Sequence, residues 1–569
     1  MDAFCRTVLS PGHPARSAWR RKASLVRVGL IFCLLIMTCV SLPCTGGLGI
    51  TLPYNLLSLV WVASALLLLT REDRFTVPQS IPLLMILGSV CLAVPWLLRA
   101  RDAGVVVLLL AMGGGWLLSR YSLSPCHRRL CLSVIFALAL GQCAIALLQT
   151  FAPHLALHWY EYDWLRNHGR PYGIFLQVNL LASFLATGLG CGFLLLLITP
   201  CRPWLMPLTV GLGVIAFVLA LNQSRAGALG AVSLILLLAG LLGTRAPRRT
   251  FAALATMGMM ALAGAYITQH VTVMVNGEPY LLARDYAGST RARWHILVMT
   301  WQMIMEKPWT GWGYGTFEYA FSRWVLAHPR PDYVYSSIVT HPHNEVLYAW
   351  FQGGVTALAG MLLLFAGWVQ MVYKAWRESR VQTGYALLAI PLLVHLNLEY
   401  PFYQSFIHFG LFIMLLRLCV ADRPAPTRHS CNPWQRTACS LAGVALIAFS
   451  LLALYAGQQL TTLERAGLVD FPQPAPWYFA SQGERARFDE HVALLVDYNR
   501  THDPANLAAF MTWAEAYSQR HNDKNVWRSM IMIEQFRGDE ARAKGMYQVY
   551  QQLFPEPAVQ DDDKQKHRP

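Results

Sequence analysis

The chain is 569 residues long, 55% hydrophobic and only 14% charged, with a net charge of +15. Soluble domains carry about 25% charged residues, so the composition excludes an ordinary soluble enzyme and makes lipid the main solvent. The surplus of Lys and Arg is what the cytoplasmic loops of a multi-pass membrane protein accumulate. No basic segment is interleaved with exposed aromatics, so no nucleic acid is expected as a partner.

In chain order, Arg16, Arg20, Arg21 and Lys22 precede the first apolar run, and no A-x-A site follows it. That run therefore reads as a span and not as a cleaved signal. Later runs such as Leu56–Leu69 carry leucine on every face and no polar stripe, as spans do. Length and apolarity predict about thirteen spans: 26–42, 49–69, 80–98, 103–119, 130–150, 174–198, 204–222, 227–243, 250–268, 344–373, 383–398, 402–420 and 438–457.

With the N-terminus in the cytoplasm, alternate connections hold Arg71 and Arg74; Arg120, Arg128 and Arg129; Arg202; Arg245, Arg248 and Arg249; Lys374, Arg377 and Arg380; and Arg417, Arg423, Arg428 and Arg436. The opposite short connections hold only Arg99, Arg101, Arg166, Arg170 and Arg225. This asymmetry orients the bundle N-in and C-out. The expected architecture is an all-α polytopic bundle. It has a cytoplasmic N-terminus (1–25), nine helices (26–268), a large outer loop (269–343), four more helices (344–457) and an outer C-terminal segment (458–569). That last segment reads as amphipathic helices over 488–498, 507–520, 524–536 and 539–554, similar to tetratricopeptide-like hairpins without a clean repeat. A disordered tail follows from 559. The thirteen cysteines lie in or beside apolar runs, none after Cys439, with no CxxC; they read as small packing residues.

Polar groups at span ends are the informative ones, because polar groups are costly near lipid. Five clusters fall on the outer side. Arg170-Pro-Tyr-Gly173 leads to Gln177 and Asn179, placed a turn or so inside the sixth span; the bland alternative is interhelical amide bonding. Asn222-Gln-Ser-Arg-Ala-Gly227 puts Arg225 in a very short outer turn against the charge bias, the alternative being a snorkelling arginine. Arg291 and Arg293 precede an extramembrane amphipathic helix leading to Pro308-Trp-Thr-Gly-Trp-Gly-Tyr-Gly315. With no strand before it, this glycine run is not a nucleotide loop. Thr340-His-Pro-His-Asn-Glu345 offers His341 and His343. No Cys or further His stands nearby at ligand spacing, so a general base or hydrogen-bonding group is expected and a metal is not; packing or capping is the alternative. His395-Leu-Asn-Leu-Glu-Tyr-Pro401 places Glu399 where it orients a histidine, pairs with an arginine or makes a purely structural salt bridge.

These clusters, in this order over roughly 170–415, resemble the Wzy_C-type O-antigen ligase / O-oligosaccharyltransferase superfamily, most nearly its PglL-type protein O-glycosylation ligases. The family patterns are R-x-x-G-x-x-x-Q-x-N (Arg170, Gly173, Gln177, Asn179) and S-R-x-[AG] (Ser224, Arg225, Gly227). They continue with R-x-x-[IL] before P-x-x-G-x-G (Arg293, Ile296, Pro308, Gly311, Gly313). The last two are H-x-H-N-x-x-[LI] (His341, His343, Asn344, Leu347) and H-x-x-x-E-[YF]-P (His395, Glu399, Tyr400, Pro401). Arg291 beside Arg293 leaves the loop arginine slightly open, and the spacing to Met303-Ile304 favours Arg293.

The resemblance implies a multi-pass protein of the bacterial inner membrane with its site facing the periplasm. It implies a glycan moved en bloc from an undecaprenyl-diphosphate-linked oligosaccharide to Ser/Thr of a periplasmic, pilin-like protein, or to lipid A-core, or, as in a Wzy-type polymerase, to another carrier-linked repeat. A polytopic transporter or flippase is the alternative outside the class. In the implied chemistry Arg225 and Arg293 hold and neutralise the diphosphate. His343 accepts the acceptor's proton or orients it. Arg170, Gln177, Asn179, Arg291, His341, Asn344, His395 and Glu399 bind substrate. The donor is already activated, so no cofactor and no metal are expected.

Overall fold

The structure is a computed structural model that describes residues 31–69, 81–99, 123–199, 202–282, 289–331, 338–422 and 432–555, with 29, 112–115, 118–119, 333 and 335. The basic N-terminal residues, most of the 103–119 span, Arg71, Arg74, Arg101, Arg120, Arg423, Arg428 and the tail from 559 lie outside the described residues.

The main helices are α1 (Pro53–Leu69), α2 (Leu83–Arg99), α3 (Pro125–Phe151), α4 (Val178–Ile198), α5 (Leu205–Asn222), α6 (Arg225–Leu242), α7 (Pro247–His270), α8 (Ser289–Glu306), α9 (Phe317–Ala327), α10 (Glu345–Glu378), α11 (Arg380–Leu387), α12 (Ile390–Leu396), α13 (Phe406–Cys419), α14 (Pro433–Arg465), α15 (Glu484–Thr501), α16 (Pro504–Tyr517), α17 (Lys524–Phe536) and α18 (Glu540–Leu553). Among the described residues seven helices, α3–α7, α10 and α14, are long and apolar enough to cross a membrane, and α1, α2 and α13 are shorter apolar helices. The chain is an all-α, multi-pass membrane protein. Among the described residues two strands, Thr272–Val275 and Glu278–Leu281, form one antiparallel hairpin. Asn276 and Gly277 take positive φ at the turn, as an Asn-Gly hairpin turn requires. The all-helical reading passed over that dipeptide.

Helix α4 is apolar all round, which suits a membrane helix to the centre of the bundle as well as to lipid, and here it takes the centre. Every residue from Leu180 to Leu196 is buried, with α3, α5, α6 and α12 packed around it. Helix α7 packs on α5 and leaves Phe251, Met259 and Leu262 between 64% and 75% exposed, which is a lipid-facing surface. Three expectations need correction. The sixth span starts at Val178, with Gln177 as its N-cap, so Gln177 and Asn179 sit at the helix mouth and not a turn inside. Arg291 and Arg293 lie within α8 and do not precede it. The eleventh and twelfth spans are each broken, into α11 and α12 and into Pro401–Gln404 and α13. Pro391 and Pro401 open new first turns, where a missing N–H costs nothing, and Ser405 caps α13 by accepting from His408 N.

The 308–315 glycine run has a structural purpose. Helix α10 is interrupted at Gly354 (φ 68°, ψ −160°), a backbone region open essentially to glycine alone. The interruption frees two carbonyls, and the glycine run supplies the donors: Trp312 N to Phe351 O at 2.6 Å and Gly313 N to Gln352 O at 3.2 Å. The approach is close enough that a Cβ on Gly354 would lie 2.1 Å from Trp309 O. Gly354→Ala is therefore expected to cost at least about 2 kcal/mol. An unchanged thermal midpoint in that variant would show the kink to be dispensable.

The 269–343 loop and the C-terminal segment, expected as separate units, share one hydrophobic core. Met299 and Met303 of α8, Phe317 and Phe321 of α9, Phe510 and Met511 of α16 and Trp527 and Met530 of α17 all belong to it. Asp503, Asp523 and Asp539 N-cap α16, α17 and α18. A polar latch completes the seam. Glu318 of α9 accepts from Asn522 N at 2.6 Å and faces His521 Nδ1 at 3.5 Å, while His521 Nε2 lies 3.3 Å from Glu484. Burial alone would lower the His521 imidazole, but the hydrogen bonds and charges of Glu318 and Glu484 outweigh it and raise it to about 9 from 6.5. A raised cationic group stabilises fully below its unfolded pKa and loses that contribution as pH rises through the folded one. The thermal midpoint of the extramembrane helices should thus fall between pH 6.5 and 9, and His521→Gln should flatten the fall; an equal fall in the variant would remove His521 as its cause.

Candidate active site

The site is assembled where the mouths of α4 and α6, the start of α10 and the break after α12 meet. The 170–177 segment is fixed first. Gln149 Oε1 accepts from Tyr172 N at 3.0 Å and Gly173 N at 2.8 Å, and its amide donates to Gly173 O at 2.8 Å. Gln142 Oε1 accepts from Ile174 N at 3.2 Å and packs so closely that a Cβ on Gly173 (φ +61°) would come within 2.4 Å of it. Asn222, fully buried, donates to Pro171 O and Val178 O, and Arg170 Nε donates to Asn222 O at 3.2 Å. The first two sequence clusters therefore interlock, and this contact of Arg170 holds backbone.

Glu399 is the hub. Oε1 accepts from Asn179 Nδ2 at 2.6 Å and lies 3.4 Å from the Arg293 guanidinium; Oε2 accepts from Gln177 Nε2 at 2.7 Å and lies 3.3 Å from His395 Nε2. Its residue is only 4% exposed. Burial by itself would raise this carboxyl, but the hydrogen bond and charge of His395, with Arg293 and the Asn179 amide, hold it down to about 2. It is a fixed anion that aligns four side chains from three separate stretches of chain. Behind it, His395 Nδ1 meets Ser183 Oγ at 2.8 Å. Beside it, Ser224 Oγ donates to Asn179 Oδ1 at 2.7 Å and N-caps α6 by accepting from Gly227 N. Arg225 is the first residue of that helix and is exposed, so the cap carries the arginine to the hub's edge.

The His341 and His343 rings lie tilted at 59° with 4.3 Å between centroids, and the His341 centroid lies 3.8 Å from that of Tyr400. Asn344 N-caps α10 through Leu347 N and donates to Asn397 O at 3.2 Å, which ties the histidine segment to the Glu399 turn. His343 adopts φ +56°, left-handed strain of a kind that concentrates at functional sites. Burial and the Arg293 guanidinium push its imidazole below 6.5, against the pull of Glu399. Burial, then His343 and Arg293, push His341 to about 3. Both rings are therefore uncharged at neutral pH. His343 Nδ1, His341 Nε2 and Gln177 Oε1 are buried without a hydrogen bond among the described residues. Buried polar atoms in this state await a partner, and an uncharged imidazole nitrogen is able to take a proton.

The structure thus gathers Gln177, Asn179, Arg293, His395 and Glu399 directly and sets His341, His343, Asn344 and Arg225 around them. Arg291 is exposed on α8, apart from the hub's hydrogen bonds. Among the described residues no three His, Cys, Asp or Glu side chains gather at metal-ligand spacing. Sequence reasoning missed Gln142, Gln149 and Ser183; a glutamine inside a long apolar run was the available signal. Below the site a cavity of about 980 Å³ runs between α2, α10 and α13, from Asn397 and Tyr400 down to Arg417, with apolar walls that include Leu92, Trp96 and Phe365.

Two family models match. One, described as O-Antigen ligase, covers residues 210–362, and the other, described as the C-terminal part of a virulence factor membrane-bound polymerase, covers 382–567. The first contains Arg225, Arg293 and His343; the second contains His395, Glu399 and the C-terminal helices. A relative named O-antigen ligase, from Salmonella typhimurium, is 30% identical over 114 residues, which are 20% of this chain and 26% of that protein. The match thus spans about a quarter of that relative's length.

Proposed function

From the premise that this chain belongs to the Wzy_C-type O-antigen ligase superfamily, we propose that it transfers an oligosaccharide en bloc from undecaprenyl diphosphate to Ser/Thr hydroxyls of periplasmic proteins, in the manner of PglL-type ligases. On this reading it is a glycosyltransferase of the bacterial inner membrane working at the periplasmic face. The observation that carries the reading is the Glu399 hub, which presents Arg293 beside an uncharged His343.

The donor's bond to be broken joins the first sugar's anomeric carbon to a diphosphate oxygen. As it breaks, negative charge grows on the diphosphate at the membrane surface. Arg293 and Arg225 are the fixed cations for it, and stabilising developing charge is where electrostatic catalysis acts. The acceptor hydroxyl forms the new bond to the same carbon and gives up its proton, which His343 Nδ1 takes or positions. Gln177, Asn179 and His395 are held by Glu399 and so are positioned before substrate arrives. The apolar cavity under Tyr400 suits the polyisoprenyl chain. A protein acceptor is favoured by the C-terminal helices, which share a core with α9 and with α8, the helix that carries Arg293. The second reading, transfer to lipid A-core, draws on the name of the Salmonella relative.

Arg293→Lys is expected to reduce transfer at least tenfold, because an ammonium cannot reproduce paired phosphate contacts; wild-type rate and donor affinity in that variant would discard the phosphate role. The test of the function itself is reconstitution of the purified protein with an undecaprenyl-diphosphate oligosaccharide and, separately, a pilin-like protein or lipid A-core. Glycan on protein Ser or Thr is the expected result. Glycan only on lipid A-core would make it an O-antigen ligase, and an elongated donor with neither acceptor modified would make it a polymerase.

A further inference from the structure

At the opposite end of the bundle from the site, where α4 ends and α7 begins, lies a cavity of about 430 Å³ lined by Leu197, Ile198, Thr199, Arg245, Arg248 and Arg249, with no acidic side chain in its lining. We infer that this pocket binds the phosphodiester of an anionic phospholipid, with the lipid's acyl chains lying along α7. The site is separate from the proposed transferase chemistry and does not depend on it.

Arginines on this face are expected from charge bias alone, so their presence is not the argument. Their arrangement is. Arg249 Nη1 donates to Thr199 O at 2.7 Å, which holds one guanidinium against the end of α4. Thr250 Oγ1 donates back to Ala246 O at 3.0 Å and lies 3.2 Å from Gly243 O, which fixes the turn that carries Arg245. Arg245 and Arg248 are exposed. The start of α7 adds to the field: Ala246 has no side chain to cap the first-turn amides, and such amides favour an anion. Three guanidinium groups around one concavity match phosphate oxygens in charge and fork geometry.

A free phosphate would satisfy the same groups, and the surface beyond the pocket argues for a lipid. Phe251, Met259, Leu262 and Tyr266 lie three, eleven, fourteen and eighteen positions after Arg248, on the same face of α7, and each is at least 63% exposed. An apolar track about 27 Å long, longer than one leaflet of a hydrocarbon core about 30 Å thick, therefore starts at the cationic pocket. Basic pockets between membrane helices take lipid headgroups on this pattern.

The test is native mass spectrometry of the full-length protein in detergent, titrated with dioleoylphosphatidylglycerol, dioleoylphosphatidylcholine or inorganic phosphate. The wild type is expected to hold one phosphatidylglycerol in preference to phosphatidylcholine. The Arg245→Gln/Arg248→Gln double variant should weaken that binding about 25-fold, since each arginine near an anionic headgroup contributes about a factor of five. Arg377→Gln, on the same membrane face but at the end of α10, should leave it unchanged. If the double variant folds poorly, Arg248→Gln alone, an exposed position, should still show about a fivefold loss. Wild-type affinity in the arginine variants would overturn the proposal, as would an equal loss in Arg377→Gln. Displacement of phosphatidylglycerol by millimolar inorganic phosphate would overturn its lipid assignment.

Discussion

His343→Asn is expected to lower glycan transfer by a factor of about one hundred or more, the usual worth of a positioned proton acceptor, while the protein stays folded. Asparagine is the informative replacement. The residue stands at φ +56°, and asparagine tolerates the left-handed region better than alanine does. His343→Ala would mix lost chemistry with added backbone strain. The pH profile supplies a second readout. The imidazole is held below its ordinary 6.5 by burial and by Arg293, and its uncharged form is the one able to accept a proton. Activity that depends on it is therefore complete above the folded-state pKa and declines as pH falls through that value. The acid limb of single-turnover transfer should lie below pH 6.5 and vanish in the variant. Transfer near the wild-type rate, or an acid limb above pH 6.5, would remove His343 from the mechanism.

Glu399→Gln is expected to cost as much activity by another route. The carboxylate faces Asn179, Gln177, Arg293 and His395, two on each oxygen. An amide of the same shape offers one oxygen and turns its NH2 toward groups that are themselves donors. At least one buried donor is then left unpaired, at about 1–3 kcal/mol, and Arg293 loses its counter-ion. Donor binding and turnover should separate: Arg293, no longer neutralised, leaves the KM for the lipid-diphosphate donor no higher, while kcat falls about a hundredfold as the aligned amides and histidine lose their reference point. Glu399→Asp should recover part of the rate. A rise in KM with kcat intact is the outcome that would reassign Glu399 to simple substrate binding.

Much of the candidate site was legible because its residues are exceptions. Gln177, Asn179, Arg225, His343 and Glu399 are polar groups at the ends of apolar runs, and the charge bias of short loops placed those ends on one side. What they do to one another was not legible. Glu399 reads equally well as a partner for an arginine or for a histidine; the structure gives it both, along with two amides from 220 and 222 residues earlier. The glycine run 308–315 permits a tight turn or a close backbone approach; which backbone it approaches was not legible, and the structure sets it against the break at Gly354 as the hydrogen-bonding complement of the freed carbonyls.

The sequence by itself determined the solvent of this protein and the helices that lipid demands, because burying an unpaired backbone in hydrocarbon is prohibitive and long apolar runs have few other fates. It also determined which ends of those helices carry polar chemistry. Only the tertiary structure decided which apolar faces cover each other. Amphipathic periodicity marks a face for burial and says nothing about its partner. The loop helices α8 and α9 and the distant helices α16 and α17 each display such a face, and they form one core because three-dimensional packing brings them together, sealed by Glu318 and Asn522 across 204 residues of sequence.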